Sequence, residues 1–437
     1  MGWVCWVRPW LAVLAAALVG CAGYGNRFVR LEQSLAADQP AAALAILDGD
    51  RPANRDRLLW HLERAMVLRM DGRFAESNAE FEAAKQVVEA LSALSLREQG
   101  SAVLLNETTT SYQGAAFEQV LIHLYAALNY LELGDRNAAR VEAMQVDVRL
   151  QELARRDPDS VFSNDPFARY LSGMIFEDGG EWSDALIAYR KAYQAYRQHG
   201  QRYALTVPAL LQGDLLRSAE RLGLVDEAEQ YRREFALEEA PALYGGAGRG
   251  EVALLFHADL VPVKVEESVT VPVVGQGKLV RIAVPAYRPR PVGATGVVAE
   301  GAERRAAGQI VANLAGLAVA DLEAHRGAIV ARTAARAVAK YVASHAVGKE
   351  NQWAGLLVNL AGVLTEQADT RSWLTLPRTI YLARLSLPPG EYSLEVEILG
   401  PGGGVVERRT LPPVQVTQGR RVYRSLHWIS QRSVRRR

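Results

Sequence analysis

Hydrophobic and polar positions along this chain fall into blocks of different period. The first block, Trp10 to Val19, is apolar, follows Arg8 and gives way to Gly20-Cys21. From residue 31 to 240 apolar and small residues recur with the period of helices buried on one face. Within that region Gly72 is followed by Phe74, Ser77, Phe81 and Ala84, and Gly180 by Trp182, Ala185, Tyr189 and Ala192. Gly134 with Ala139 and Ala143, and Gly223 with Ala228 and Tyr231, make weaker copies, and a still weaker one surrounds Asp38 to Leu47. The physical logic is a helical hairpin: glycine ends the first helix, small residues admit the second, and aromatics fill the groove between them.

Past residue 250 the period changes. EVALLFHADLVPVKVEESVTVPVV and KLVRIAVPAY are rich in β-branched residues and interrupted by Pro262, Pro272 and Pro285, which predicts strands at an edge or with bends. Helical periodicity returns over 307–345, and WAGLLVNLAGVL, 353–364, is apolar for too short a run to span a membrane and reads as a buried helix. Near the end, Tyr392, Leu394, Val396 and Ile398 share one face of an alternating stretch, and GPGGG after them predicts a hairpin within a small antiparallel sheet or sandwich.

These blocks divide the chain into 1–20, a cleaved signal; 21–241, a helical domain; 242–250, the glycine-rich linker ALYGGAGRG; 251–306, a β-rich segment; 307–366, a helical segment; and 367–437, a hairpin or sandwich-like segment with a basic tail. The linker is the expected boundary between two separable parts, open to proteases. Its glycines match neither dinucleotide-binding nor P-loop spacing. The fold class expected is α+β, a helical array followed by a β-rich region with an inserted helical segment.

Composition narrows function mainly by exclusion. With 49% hydrophobic and 23% charged residues the 437-residue chain is ordinary globular material, and a formal net charge of +1 gives no global field to select nucleic acid. Both cysteines, Cys5 and Cys21, precede the helical region, so no disulfide framework follows them. The seven histidines form no close ligand pair and there is no G-x-S-x-G elbow, so neither a metal, a cofactor nor a catalytic residue is expected. One polar knot, Asp321, Glu323, His325 and Arg326, is read as capping and salt bridging where a helix ends before Gly327.

Charge matters locally. Arg332, Arg336 and Lys340 at i, i+4 and i+8 form a basic stripe, a solvated face or else a candidate contact for anionic headgroups, lipopolysaccharide phosphates or an acidic partner. Seven arginines close the chain at 420, 421, 424, 432, 435, 436 and 437, either a polyanion-binding cluster or a frayed tail. The tyrosines 189, 193, 196 and 203 fit a helical core better than a groove. Asp369, Arg371 and Trp373 fit a structural clamp.

Three resemblances add to this reading. Leu18-Val19-Gly20-Cys21 resembles the lipobox of bacterial lipoprotein precursors, which implies a lipid on Cys21; Ala22, rather than aspartate, after it implies sorting to the outer membrane. The glycine-anchored pattern resembles the tetratricopeptide repeat, although spacings of 62, 46 and 43 residues exceed its period of about 34. The strings YQGAAFEQVLIHLYAALNYLELGD, GRGEVALLFHADLVPVK, ARTAARAVAKY and ADTRSWLTLPRTIYLARLSLPPGEY resemble a family of uncharacterised proteobacterial outer-membrane lipoproteins with tetratricopeptide-like N-terminal parts. Together they imply a non-enzymatic, lipid-anchored scaffold on the periplasmic face of the outer membrane, holding a protein partner in envelope assembly or maintenance. The alternative is a module for anionic lipid or polysaccharide, lipopolysaccharide or peptidoglycan, bound through the basic residues.

Overall fold

The structure is a computed structural model that describes residues 28–49, 52–97, 110–156, 165–237, 248–273, 278–348 and 367–431. Cys21, the apolar stretch 353–364 and the arginines from 432 onward lie outside the described residues. The molecule is a mixed α+β protein, helix-rich in its N-terminal half and strand-rich afterwards.

After a helix over 28–36 (α1) come α2 (Pro40–Asp48) and four antiparallel hairpins in series: α3 (Arg57–Met70) with α4 (Phe74–Arg97), α5 (Ala116–Glu132) with α6 (Arg136–Arg156), α7 (Pro166–Asp178) with α8 (Trp182–Tyr203), and α9 (Ala209–Arg221) with α10 (Val225–Phe235). Each turn is made by the glycine that the sequence singles out. Gly72, Gly134, Gly180 and Gly223 have φ of 74°, 77°, 79° and 71°, a left-handed conformation costly for any residue with a Cβ. The small and aromatic positions behind them are buried: Ser77, Phe81 and Ala84 in α4, Ala139 and Ala143 in α6, Ala185, Tyr189 and Ala192 in α8, Ala228 and Tyr231 in α10. Tyr196 and Tyr203 are also core residues and Tyr193 packs partly buried against them, so this run does not line an open groove.

The second half is built on β1 (Gly250–Leu260), β2 (Val263–Val273), β3 (Lys278–Arg288), β4 (Gly296–Gly301), β5 (Arg304–Ala307), β6 (Gln309–Asn313), α11 (Leu314–Gly348), β7 (Pro377–Leu387), β8 (Gly390–Tyr392), β9 (Glu395–Leu399), β10 (Val405–Thr410), β11 (Val414–Val416) and β12 (Arg421–Trp428). One sheet has the order β12-β1-β7-β6, with β12 parallel to β1 and β7 antiparallel to it; a second, antiparallel sheet has the order β10-β9-β4-β5. Leu394, Val396 and Ile398 point into the core between the two sheets. β2 and β3 form a separate two-stranded ribbon, where Pro272 and Pro285 are tolerated because each strand has one edge without a strand partner among the described residues.

Strand β1 explains why EVALLFHADL hardly alternates in polarity: all eleven of its residues are buried, on both faces. Val252, Leu254, Phe256 and Ala258 meet the second sheet, whereas Ala253 and Leu255 belong to the core of the helical array. That core also takes in Trp373, Leu376, Ile380, Leu382 and Tyr423. The helical and β halves therefore share one hydrophobic core, which corrects the expectation of two separable parts on either side of 242–250.

Two further expectations are corrected. Residues 304–307 and 309–313 are strands, so the inserted helix begins at Leu314, later than 307. It also runs through Gly327 without ending there, because Gly327 needs no positive φ and interrupts no hydrogen-bonded turn. Asp321 and His325 then sit one turn apart, the imidazole Nδ1 3.2 Å from the carboxylate, and Glu323 and Arg326 form a salt bridge at 3.1 Å, contacts on a continuous helix rather than at its end.

Candidate partner-binding cleft

Ion pairs fix how the halves meet. Arg384 of β7 donates two bonds of 2.9 Å to Glu251 of β1 and reaches across to Asp214 of α9 at 2.7 and 2.8 Å. Arg421 of β12 donates to Asp178 at 2.8 Å and Glu177 at 2.9 Å, both in α7, and also to Glu251. Arg217 pairs with Glu177 and Asp214, while the hydroxyls of Tyr170, Tyr189 and Tyr423 donate to Asp214, Glu177 and Asp178. Burial alone would push the Asp214 carboxyl up, but Arg384 and Arg217 pull it well below the usual carboxylate range. For Asp178 burial prevails over Arg421 and pushes the carboxyl up to about 6. Arg421 is thus a buried core cation, not part of a frayed or polyanion-binding tail.

A second clamp lies nearby. Glu118 of α5 accepts the Trp373 amide at 2.9 Å, and Glu63 of α3 accepts those of Leu374 at 2.8 Å and Thr375 at 3.2 Å. Burial pushes the Glu63 carboxyl up to about 7. Arg371 bonds Asp369 and, at 3.0 Å, Asp56 near the start of α3, so Asp369, Arg371 and Trp373 act in holding the strand-bearing half to the helices.

Where α1, the α3–α4 turn, β10 and the C-terminal part of β12 converge, these contacts leave a cleft of about 1090 Å³. Its walls include Phe74, Val406, Arg409 and Trp428, and its inner side Arg69 and Glu132. Arg69 is 2% exposed and donates to Asn129 and Ser425, neutral partners, while Glu132 lies 3.5 Å from Arg424. Burial pushes the Glu132 carboxyl up against the pull of Arg69. His427 stacks on His257 with ring centroids 4.2 Å apart and planes 6° from parallel, and burial pushes both imidazoles well below the usual range, so both are neutral at neutral pH. Arg69 Nε, Glu132 Oε1, His427 Nε2 and both ring nitrogens of His257 have no hydrogen-bond partner among the described residues. Such a group of orphaned polar atoms is uncommon in a packed interior and marks the cleft as the place to look for function.

The basic stripe fares differently. Arg332 is exposed, but Arg336 is 6% exposed and donates to Thr333 at 3.3 Å, so it is not presented to a partner; the side chain of Lys340 lies outside the described residues. Facing from α11 toward its own neighbours, Arg336 breaks the stripe at its middle member, a burial that i, i+4 spacing alone does not reveal. Among the described residues no group of three or more His, Cys, Asp or Glu side chains is placed to hold a metal, and no helix is long and apolar enough to cross a membrane.

Sequence reasoning missed Arg69, Glu132 and the β12 edge. The run RVYRSLHW reads as an arginine cluster, although Val422, Leu426 and Trp428 at every second or fourth position carry a strand signal.

No family model matches the chain, and no curated protein matches it. Among solved structures it is similar to MamA of AMB-1 (12% identity, covering 49% of this chain and 90% of that one, TM-score 0.29). It is also similar to MamA of MSR-1 (11% identity, 48% and 92%, TM-score 0.28). At these scores neither likeness carries an argument.

Proposed function

We propose that this protein is a non-enzymatic scaffold, anchored by a lipid on Cys21 to the periplasmic face of the outer membrane, that holds a protein partner. Its hairpin array is tetratricopeptide-like, and the β-rich half is locked onto it so that both halves shape one binding surface. The observation that carries the reading is the cleft of about 1090 Å³, walled by α1, α3 and α4 on one side and by β10 and β12 on the other. A cleft of this size accommodates a ligand segment without opening the core. The polyanion-binding alternative rests on the stripe Arg332, Arg336 and Lys340 and on the arginine tail, and it is the less favoured reading because the middle member of the stripe, Arg336, is buried.

The test is in-cell crosslinking from a photoreactive residue at Val406, 53% exposed on the cleft wall, compared with one at Val225, 69% exposed on α10. One discrete protein adduct from Val406 and none from Val225 is expected; equal labelling from both positions, or none, defeats the scaffold reading. Anchoring is read separately. Cys21→Ser should abolish labelling by radioactive palmitate and release the protein from the membrane fraction, because serine cannot form the thioether.

A further inference from the structure

β12 is an edge strand, and its main chain shows which groups remain open. Successive residues of a strand direct their backbone groups to alternate sides. Even-numbered positions of this segment face β1: the Arg420 carbonyl accepts from the Glu251 amide at 3.0 Å. Odd-numbered positions face away. There the Arg421 carbonyl accepts from Arg136 at 3.4 Å, the Tyr423 carbonyl from Arg424 at 2.9 Å, and the Ser425 amide donates to Glu132. Beyond that point the series stops: among the described residues no hydrogen bond is made on this side by the Ser425 carbonyl or by the His427 amide or carbonyl. The cleft is lined by consecutive residues from Arg424 to Gln431, so it meets this strand along its edge rather than over one face.

We propose that the cleft receives an extended, uncharged segment of a partner polypeptide, added as a further strand to β12 at Ser425 and His427. This rests on the scaffold reading for its partner but not for its chemistry. The charges of the cleft are already balanced among themselves, Arg409 with Asp38 and Glu407, Arg424 with Glu132, and the buried Arg69 drawn to the same Glu132, which leaves no exposed unpaired charge for an ionic ligand to satisfy. What remains open is main chain, and main chain is what an incoming strand pairs with. Apolar residues at alternate positions of the segment would meet Val406 and Trp428 on one side and Met70 and Phe74 on the other. Trp428 is held for this by the bond from its Nε1 to Glu407, 2.7 Å.

The experiment uses the full chain carrying Cys21→Ser and a random-peptide display library, counter-selected against His427→Pro. Proline at 427 deletes the outward amide while sparing the ladder to β1, which uses the even positions. His427→Ala removes the same side chain but keeps the amide. A peptide is expected to enrich on the Cys21→Ser chain, to bind His427→Ala comparably and to bind His427→Pro about tenfold more weakly, the cost of one hydrogen bond. N-methylation along that peptide should weaken binding at every second residue and leave the intervening ones unaffected, a readout that stands even where His427→Pro fails to fold. No enrichment, equal loss in the alanine and proline variants, or N-methyl effects without a two-residue period overturns the proposal. The period-two result together with no adduct from Val406 in cells would instead leave the strand site in place and remove the envelope scaffold.

Discussion

At the scale of single residues, Arg384 shows why the strongest contacts here are invisible in the sequence. Its carboxylate partners lie 133 and 170 positions away, and no periodicity links them. Because Arg384, Asp214 and Glu251 are fully buried, Arg384→Met leaves Asp214 with Arg217 alone and Glu251 with Arg421 alone, and should destabilise the fold by about 3–5 kcal/mol. Arg305→Met, which breaks a pair to Glu397 with Arg305 57% exposed, should change stability by less than about 1 kcal/mol. Urea unfolding of the two variants decides; equal effects would mean that the network contributes nothing. Glu63 offers a test in pH. Its carboxyl titrates near 7 when folded against about 4.5 when unfolded, so the folded chain binds that proton more tightly. The resulting stabilisation is complete below about pH 4.5 and lost as pH rises through 7, on the order of 1–3 kcal/mol. Glu63→Gln cannot titrate, and although one of the amides of Leu374 and Thr375 loses an acceptor, its stability should fall less steeply than that of the parent between pH 5 and 8. Parallel pH profiles would show that Glu63 is not protonated in the fold.

At the scale of elements, the hairpins were the most legible part because a glycine turn and its small packing residues lie within one short window. Ala185 is fully buried and Asp184 beside it is exposed, as the register from Gly180 requires. Ala185→Trp should overpack the hairpin by about 1–3 kcal/mol, and Asp184→Lys should cost within about 0.5 kcal/mol; indistinguishable melting temperatures would refute the register. Gly173 was not legible, since nothing in α7 alone says what lies opposite. A Cβ there would stand 2.4 Å from the Tyr189 ring, which cannot withdraw while its hydroxyl bonds Glu177. A glycine in a helix interior ordinarily gains up to about 1 kcal/mol on change to alanine. Gly173→Ala should instead lose about 1–3 kcal/mol by overpacking, so the sign of the change in unfolding midpoint is the test. β12 was less legible for a different reason, its arginines masking the alternation of Val422, Leu426 and Trp428, while β1, legible as a strand, gave no sign of which face meets the core because it is covered on both.

At the scale of the whole molecule, the composition shift at 242–250 marks a change of secondary structure and not a division of the core. Leu255, Trp373, Leu382 and Tyr423 from the strand-rich half pack in the same cluster as Tyr125, Phe167 and Leu215 from the helices. Arg421 finds two of its three carboxylate partners, Glu177 and Asp178, across the same boundary. Cutting the chain should therefore not separate it. With a protease site placed within 242–247, the cleaved protein should elute as one species and unfold in a single transition, because core and ion pairs are unaffected by the break. The piece 248–437 expressed alone should lack a cooperative transition, having apolar side chains and an Arg421 left with Glu251 alone where the helices belong, and coexpression with the piece 22–247 should restore it. Two pieces that part after cleavage and each melt cooperatively would restore the picture of independent domains. That outcome would also remove the cleft as a single rigid surface, since its α1–α4 wall and its β10–β12 wall would then be free to move apart.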